Sequence, residues 1–120
     1  MGISVMVVDD SAFMRNMLKQ IITEAGSQVA GEAGDGNEAI TKYEQLKPKL
    51  VFMDIMMPNT NGIEALKGIK AKDSGAKIVM CTSVGQQKII DEAVQAGAAD
   101  FVVKPFQKDG IINVLKKYGG

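Results

Sequence analysis

The stretch Leu50-Val51-Phe52-Met53-Asp54 drives an apolar run into a single carboxylate, and the chain repeats that arrangement three more times. Val5-Met6-Val7-Val8 runs into Asp9-Asp10, Ile78-Val79-Met80-Cys81 into Thr82-Ser83, and Phe101-Val102-Val103 into Lys104-Pro105. A short unbroken apolar run reads as a strand buried on both faces, the habit of a parallel sheet covered by helices. All strands of such a sheet point the same way. Residues just past their carboxyl ends therefore gather at one edge, where open α/β sheets bind ligands. Three carboxylates, a hydroxyl and an ammonium from distant parts of the chain are expected to meet there.

Helical patterns separate the runs, giving an α/β alternation of five strands and five helices. Ser11 caps a helix carrying Met14, Met17, Leu18, Ile21, Ile22 and Ala25 at helical spacing, and Gly26 ends it. A weaker strand over Gln28–Ala33 suits a sheet edge. Asp35-Gly36-Asn37 opens a helix with Ala39, Ile40, Tyr43 and Leu46, stopped by Pro48. Asn61-Gly62 precedes a third helix, with Ile63, Leu66 and Ile69 on its apolar face. Gln86–Ala96 reads as a fourth, with Ile90, Ala93 and Val94 facing inward. The last, about Lys108–Tyr118, presents Ile111, Ile112, Leu115 and Tyr118.

The 120 residues suit one domain spanning 1–120, with no repeat or linker. Lysine and arginine number 14, as do aspartate and glutamate, so a nucleic-acid partner gains no electrostatic support. No apolar stretch approaches the ~20 residues that span a bilayer. The single Cys81 lies inside an apolar run, where it packs as a small hydrophobe, and it fits a reducing cytoplasm. With no histidine and one cysteine, zinc and haem are excluded. Most of the eight methionines fall in strands or on helix faces, as core filling.

Three carboxylates held together repel, and one resists ionising unless a cation neutralises the group. Asp9, Asp10 and Asp54 against Lys104 leave two negative charges, the complement of one divalent ion. Oxygen-only donors select a hard cation, so Mg²⁺ is the natural choice and Mn²⁺ a substitute. Phosphoryl transfer needs a positioned nucleophile and positive charge around the equatorial oxygens. Asp54, alone at the end of its strand, is the candidate nucleophile, which would give an aspartyl phosphate. Asp9 and Asp10 suit the metal. Lys104 and the Thr82 hydroxyl can bind phosphoryl oxygens. Singly, each residue has an ordinary explanation as a helix cap, turn residue or strand exit. The conjunction of four compatible strand ends carries the reading.

These motifs, Val-Val-Asp9-Asp10-Ser, Met-Asp54-Ile-Met-Met-Pro58, Thr82-Ser83 and Val-Lys104-Pro105-Phe106, resemble the receiver domains of two-component signalling across essentially the whole chain. Ser11-Ala12-Phe13-Met14-Arg15, Gly31-Glu32-Ala33 and Gly85-Gln86-Gln87 resemble the stand-alone chemotaxis branch of CheY type. The resemblance implies a doubly wound five-stranded parallel sheet in the order 2-1-3-4-5. It implies that Asp54 accepts phosphate from a histidine kinase of CheA type. Asp10, Asp54 and the Met56 carbonyl would ligate Mg²⁺, with Asp9 holding a metal-bound water. Thr82 would swing toward the phosphoryl group, Phe101 would turn inward behind it, and Lys104 would contact it, with Lys104-Pro105 in the cis form. The implied protein is a cytoplasmic monomer and a signalling switch that loses its phosphate spontaneously, not a turnover enzyme. Its implied partners are the kinase, a flagellar motor switch or archaellum adaptor, and a phosphatase.

Three positions depart from the commonest pattern. Met56 and Val84 are apolar where relatives often carry polar residues that steer the attacking water, which suggests slow loss of phosphate. Phe101 lacks the hydroxyl of tyrosine. The readout surface is expected on the fourth helix, fifth strand and fifth helix, with Lys88, Glu92, Gln95, Lys108 and Asn113 facing outward. Competing readings are a phosphorelay shuttle outside chemotaxis and a haloacid-dehalogenase-like phosphatase. The latter needs an aspartate two residues after the nucleophile, where this chain has Met56. A nucleotide-binding module is disfavoured because Gly31, Gly34 and Gly36 form neither G-x-G-x-x-G nor a P-loop.

Overall fold

The apolar runs are strands in a computed structural model, which describes residues 2–57, 61–83 and 87–119. The chain alternates β1 (Ser4–Val8), α1 (Ala12–Glu24), β2 (Gln28–Ala33), α2 (Gly36–Leu46) and β3 (Leu50–Asp54). It continues through α3 (Gly62–Lys72), β4 (Ile78–Ser83), α4 (Gln87–Gln95), β5 (Asp100–Lys104) and α5 (Lys108–Gly119). All neighbouring strands pair in parallel, in the order β2-β1-β3-β4-β5. That is the expected doubly wound sheet, with β3 at its centre.

Successive side chains of a strand point to opposite faces, and the inner strands divide on that rule. Val5, Val7, Leu50, Phe52, Val79 and Cys81 pack with Leu18 and Ile22 of α1 and Ile111 and Leu115 of α5. Met6, Val8, Val51, Met53, Ile78 and Met80 pack with Ala39 and Tyr43 of α2, Leu66 and Ile69 of α3, and Ala93 of α4. Two cores thus lie on opposite faces of one sheet. Phe52 is fully enclosed, a burial that stabilises by roughly 1.5–3 kcal/mol. Met6, Met53, Met80 and Cys81 are core residues, as expected.

Local signals set the helix ends. The side chains of Ser11, Asp35 and Asn61 accept the amides of Met14, Glu38 and Glu64, capping α1, α2 and α3. Gly26 follows α1 with φ of +91°, a conformation glycine adopts without a Cβ clash. Lys47 ends α2 in the left-handed region immediately before Pro48, whose ring disfavours a further helical residue.

Two expectations fail. The fifth run is not buried on both faces: β5 is an edge strand, with Phe101 42% and Val103 40% exposed. Val94 does not face inward but is 56% exposed. The inward stripe of α4 is Ile90 and Ala93, flanked by partly buried Ile89 and Ala96, so Val94 lies one position off it. β2 is the other edge, as its weak hydrophobicity suggests. Leu46 supplies the missing apolar contact there, because its Cδ1 lies where a side chain on Gly31 would project.

Candidate functional site

β1, β3, β4 and β5 end side by side, so Asp9, Asp54, Thr82 and Lys104 emerge at the same edge of the sheet. Carboxylate oxygens of Asp9, Asp10 and Asp54 all lie within 4.8 Å of one another. Lys104 Nζ sits between two of them, 2.8 Å from Asp9 Oδ2 and 3.1 Å from Asp54 Oδ2. It also lies 5.8 Å from the centroid of the Phe106 ring, within the range of a cation–π contact. The Lys104–Pro105 peptide is cis, as expected.

The tandem acids divide in a way their adjacency conceals. Asp9 is 1% exposed, and its Oδ1 accepts the Ser11 amide at 2.9 Å. Asp10 is exposed. One acid is thus fixed inside the pocket and the other sits on its rim.

Asp54 is 5% exposed. Burial pushes its carboxyl above the usual aspartate range; Lys104 opposes that shift and the charge of Asp9 adds to it. Burial acts to lower the Lys104 ammonium, but hydrogen bonds and charge from Asp9 and Asp54 outweigh it and hold the group above its ordinary value. The electrostatic frustration therefore rests on Asp54. Burial likewise pushes the Cys81 thiol up, with Asp54 opposite it in the β3–β4 register, so the thiol stays protonated and unreactive.

Other parts of the expected site stand as follows. Met56 donates its amide to Asp54 Oδ1 at 3.3 Å, and its side chain is 65% exposed. Thr82 is buried, and its hydroxyl donates to the Ser83 carbonyl at 3.3 Å. Phe101 points outward rather than in behind Thr82. Pro58, Val84, Gly85 and Gln86, each part of a motif or departure noted above, lie outside the described residues.

Two features escaped the sequence. A Cβ on Gly62 would collide with the Asp54 carbonyl oxygen, so the start of α3 lies directly against the backbone of the central acid. The pair Asn61-Gly62 signals a helix start, but nothing in it tells which backbone approaches. Arg15 donates to the Asp9 carbonyl at 2.6 Å, a contact without any local pattern.

The donor set fits a hard divalent cation. It is made of oxygen, its carboxylates converge, and the three of them against one ammonium leave two negative charges. No helix among the described residues is long and apolar enough to cross a membrane.

The comparisons with known proteins agree with this geometry. The family model of the response regulator receiver domain matches residues 5–116. The chain is 56% identical over 117 residues to the chemotaxis protein CheY of Thermotoga maritima, covering 98% of each. It superposes with a TM-score of 0.92 and 31% identity on a chain of the CheX–CheY–BeF3–Mg²⁺ complex from Borrelia burgdorferi, covering 98% of this chain and 89% of that one. It also matches NtrX from Brucella abortus with a TM-score of 0.91 and 29% identity, where it spans 98% of its own length and 27% of that chain. The chain belongs to the response regulator receiver domain family.

Proposed function

We propose that the protein is a chemotaxis response regulator whose partner-binding surface is switched by phosphorylation of Asp54. The observation that carries this reading is a buried carboxylate flanked by an ammonium and two further acids. Asp54 cannot be neutralised by Lys104 alone, since Lys104 is shared with Asp9. The pocket thus carries more negative than positive charge, the balance that a divalent cation would offset. Asp10, Asp54 and the Met56 carbonyl would hold Mg²⁺, with Mn²⁺ as a substitute, and Asp9 would hold a water of that ion. When bound, the ion supplies the charge that lets a phosphoryl group approach the carboxylate.

The chain's own residues do the rest. An Asp54 oxygen attacks the phosphorus of a phosphohistidine, and the histidine nitrogen leaves with the bonding electrons. Lys104 is released from Asp54 to bind a phosphoryl oxygen, and the Thr82 hydroxyl turns from Ser83 to another. Phosphorylation replaces one charge with about two and adds acceptor oxygens. Moving a two-state equilibrium from 1:99 to 99:1 takes about 5.5 kcal/mol. Both bonds are exchanges, so only the gain counts. A hydrogen bond to a charged group is worth roughly 1.5–3 kcal/mol against roughly 0.5–1.5 kcal/mol for a neutral one, and Thr82 and Lys104 supply part of the shift. The outward Phe101 and the Thr82–Ser83 contact support assigning this conformation to the resting state. In the switched state Phe101 turns into the space behind Thr82.

The readout surface comprises α4, β5 and α5, which border Thr82, Phe101 and Lys104. Lys88, Glu92, Gln95, Lys108 and Asn113 are all exposed there. A histidine kinase is the proposed donor, a motility protein the proposed target, and the cytoplasm the place. Loss of phosphate by hydrolysis is slow, because the Met56 side chain offers an attacking water no hydrogen-bond partner. The chemotaxis assignment draws on the name of the Thermotoga maritima relative, and the Mg²⁺ assignment on the donor set.

Incubation with acetyl phosphate and Mg²⁺ tests the reading by intact mass. Wild type is expected to gain one base-labile phosphoryl group, and neither Asp54→Asn nor wild type without Mg²⁺ should gain any. An adduct of equal yield on Asp54→Asn would refute the assignment.

A further inference from the structure

Every polar atom of Asp9 is tied. Its amide donates to the Ala33 carbonyl at 3.1 Å, Oδ1 accepts from Ser11 at 2.9 Å and Oδ2 from Lys104 at 2.8 Å. Its carbonyl oxygen takes Arg15 Nη1 at 2.6 Å. That carbonyl belongs to the peptide joining Asp9 to Asp10. The peptide is planar, so fixing the carbonyl direction also fixes the plane from which Asp10 departs. Asp10 is exposed, so it takes its place from this backbone rather than from packing.

Arg15 is fixed in turn. Its Nε donates to Glu32 Oε1 at 2.8 Å, and Lys19 Nζ holds the other Glu32 oxygen at 2.6 Å. Lys42 Nζ binds the Glu32 carbonyl at 2.5 Å. A planar guanidinium with its donors in a rigid fork can span a carboxylate and a carbonyl together, which an ammonium cannot do in the same geometry. The Arg15–Glu32 pair therefore connects β2, an edge strand, through α1 to the backbone of the acidic pair.

We propose that Arg15, anchored by Glu32, is a positioning residue for Mg²⁺: it sets the Asp9–Asp10 peptide so that both carboxylates face the ion. This rests on the reading of the pocket as a Mg²⁺ site. A second effect has the opposite sign. A guanidinium held against the Asp9 backbone also repels a cation bound at the neighbouring acids, so if its charge were its main contribution, removing Arg15 would tighten Mg²⁺ binding.

The test is calorimetric titration of Mg²⁺ alone into metal-free wild type, Arg15→Met, Arg15→Lys, Glu32→Gln and the double variant Arg15→Met/Glu32→Gln. Thermal unfolding without Mg²⁺ identifies the temperature range in which each is folded. Arg15→Met is expected to weaken Mg²⁺ about 10-fold, the lower end of the loss seen when a support behind a metal ligand is removed. Arg15→Lys restores the charge without restoring the affinity. Glu32→Gln, nearly isosteric and far from the ion, weakens it by a smaller factor, and the double variant is no weaker than Arg15→Met alone. Unchanged or tighter binding in Arg15→Met and Glu32→Gln, with wild-type binding measurable, overturns the positioning role and leaves the Mg²⁺ site standing. Absence of Mg²⁺ binding by wild type overturns both.

Discussion

At one open edge of the sheet, β2 is polar, and its Glu32 gathers Arg15 and Lys19 into an ion-paired group. At the other edge, β5 leaves Phe101 and Val103 half in solvent and sends Lys104 into the acidic pocket. Both edges reach Asp9. From the β2 side Arg15 grips its backbone carbonyl, and from the β5 side Lys104 grips its carboxylate. A backbone contact can persist whatever the charge in the pocket. A carboxylate contact must be renegotiated whenever a cation or phosphoryl group arrives. The β2 edge therefore acts as a frame, and the β5 edge as the adjustable side.

The largest expected effect comes from removing the cation on the adjustable side. Lys104→Met leaves Asp9 and Asp54 buried without their shared partner and should destabilise the metal-free protein by about 3 kcal/mol. Mg²⁺ should recover part of that loss, so the Mg²⁺-induced rise in Tm should be larger in Lys104→Met than in wild type. An equal rise would mean that Lys104 and the ion do not share the same carboxylates.

Asp54→Asn acts in the other direction. Burial and Asp9 raise the Asp54 carboxyl against the opposing pull of Lys104, so its ionised form is less favourable in the folded state than in the unfolded one. Replacing it should stabilise the metal-free protein at pH 7 by on the order of 1 kcal/mol, a few degrees in Tm. The folded state binds the Asp54 proton more tightly than the unfolded state does. The gain should therefore shrink as pH falls through the raised folded value toward about 3.9. Urea unfolding of both proteins across that range measures it, and a gain independent of pH would separate the effect from ionisation.

Glu32→Gln gives the opposite sign from the frame side. Hydrogen bonds from Lys19 and Arg15 hold the Glu32 carboxyl below its ordinary value. Its contribution is present above about 4.3 and lost as pH falls through the lowered folded value. The group is partly solvated, so screening limits the expected loss at pH 7 to about 0.5–1 kcal/mol, and the difference from wild type should vanish in acid. Phe101→Ala, on an exposed edge, should change stability by about 0.5 kcal/mol or less. A loss of several kcal/mol in urea unfolding would show that the edge residue already packs as a core residue.

The four run endings were legible because each couples two local facts, an apolar run and a chemically competent residue after it. The helix starts at Ser11, Asp35 and Asn61 were legible for the same reason, since a cap bonds within three residues of itself. The exposure of Phe101 and Val103 was not. An edge strand and an inner strand can carry the same apolar run, and which one it is depends on whether a further strand pairs beyond it. Val94 misled because the width and centre of a helix's buried stripe depend on the strand beneath it.

The sequence by itself determined the alternation of elements, the two-faced core and the set of residues brought to one edge. These follow from side-chain period and from strands sharing a direction. Only the tertiary structure decided that Asp9 is enclosed while Asp10 stands on the rim, that Lys104 is shared between two acids, and that Arg15 holds the Asp9 carbonyl. Those choices depend on distances between segments far apart in the chain, and neighbouring residues carry no record of them.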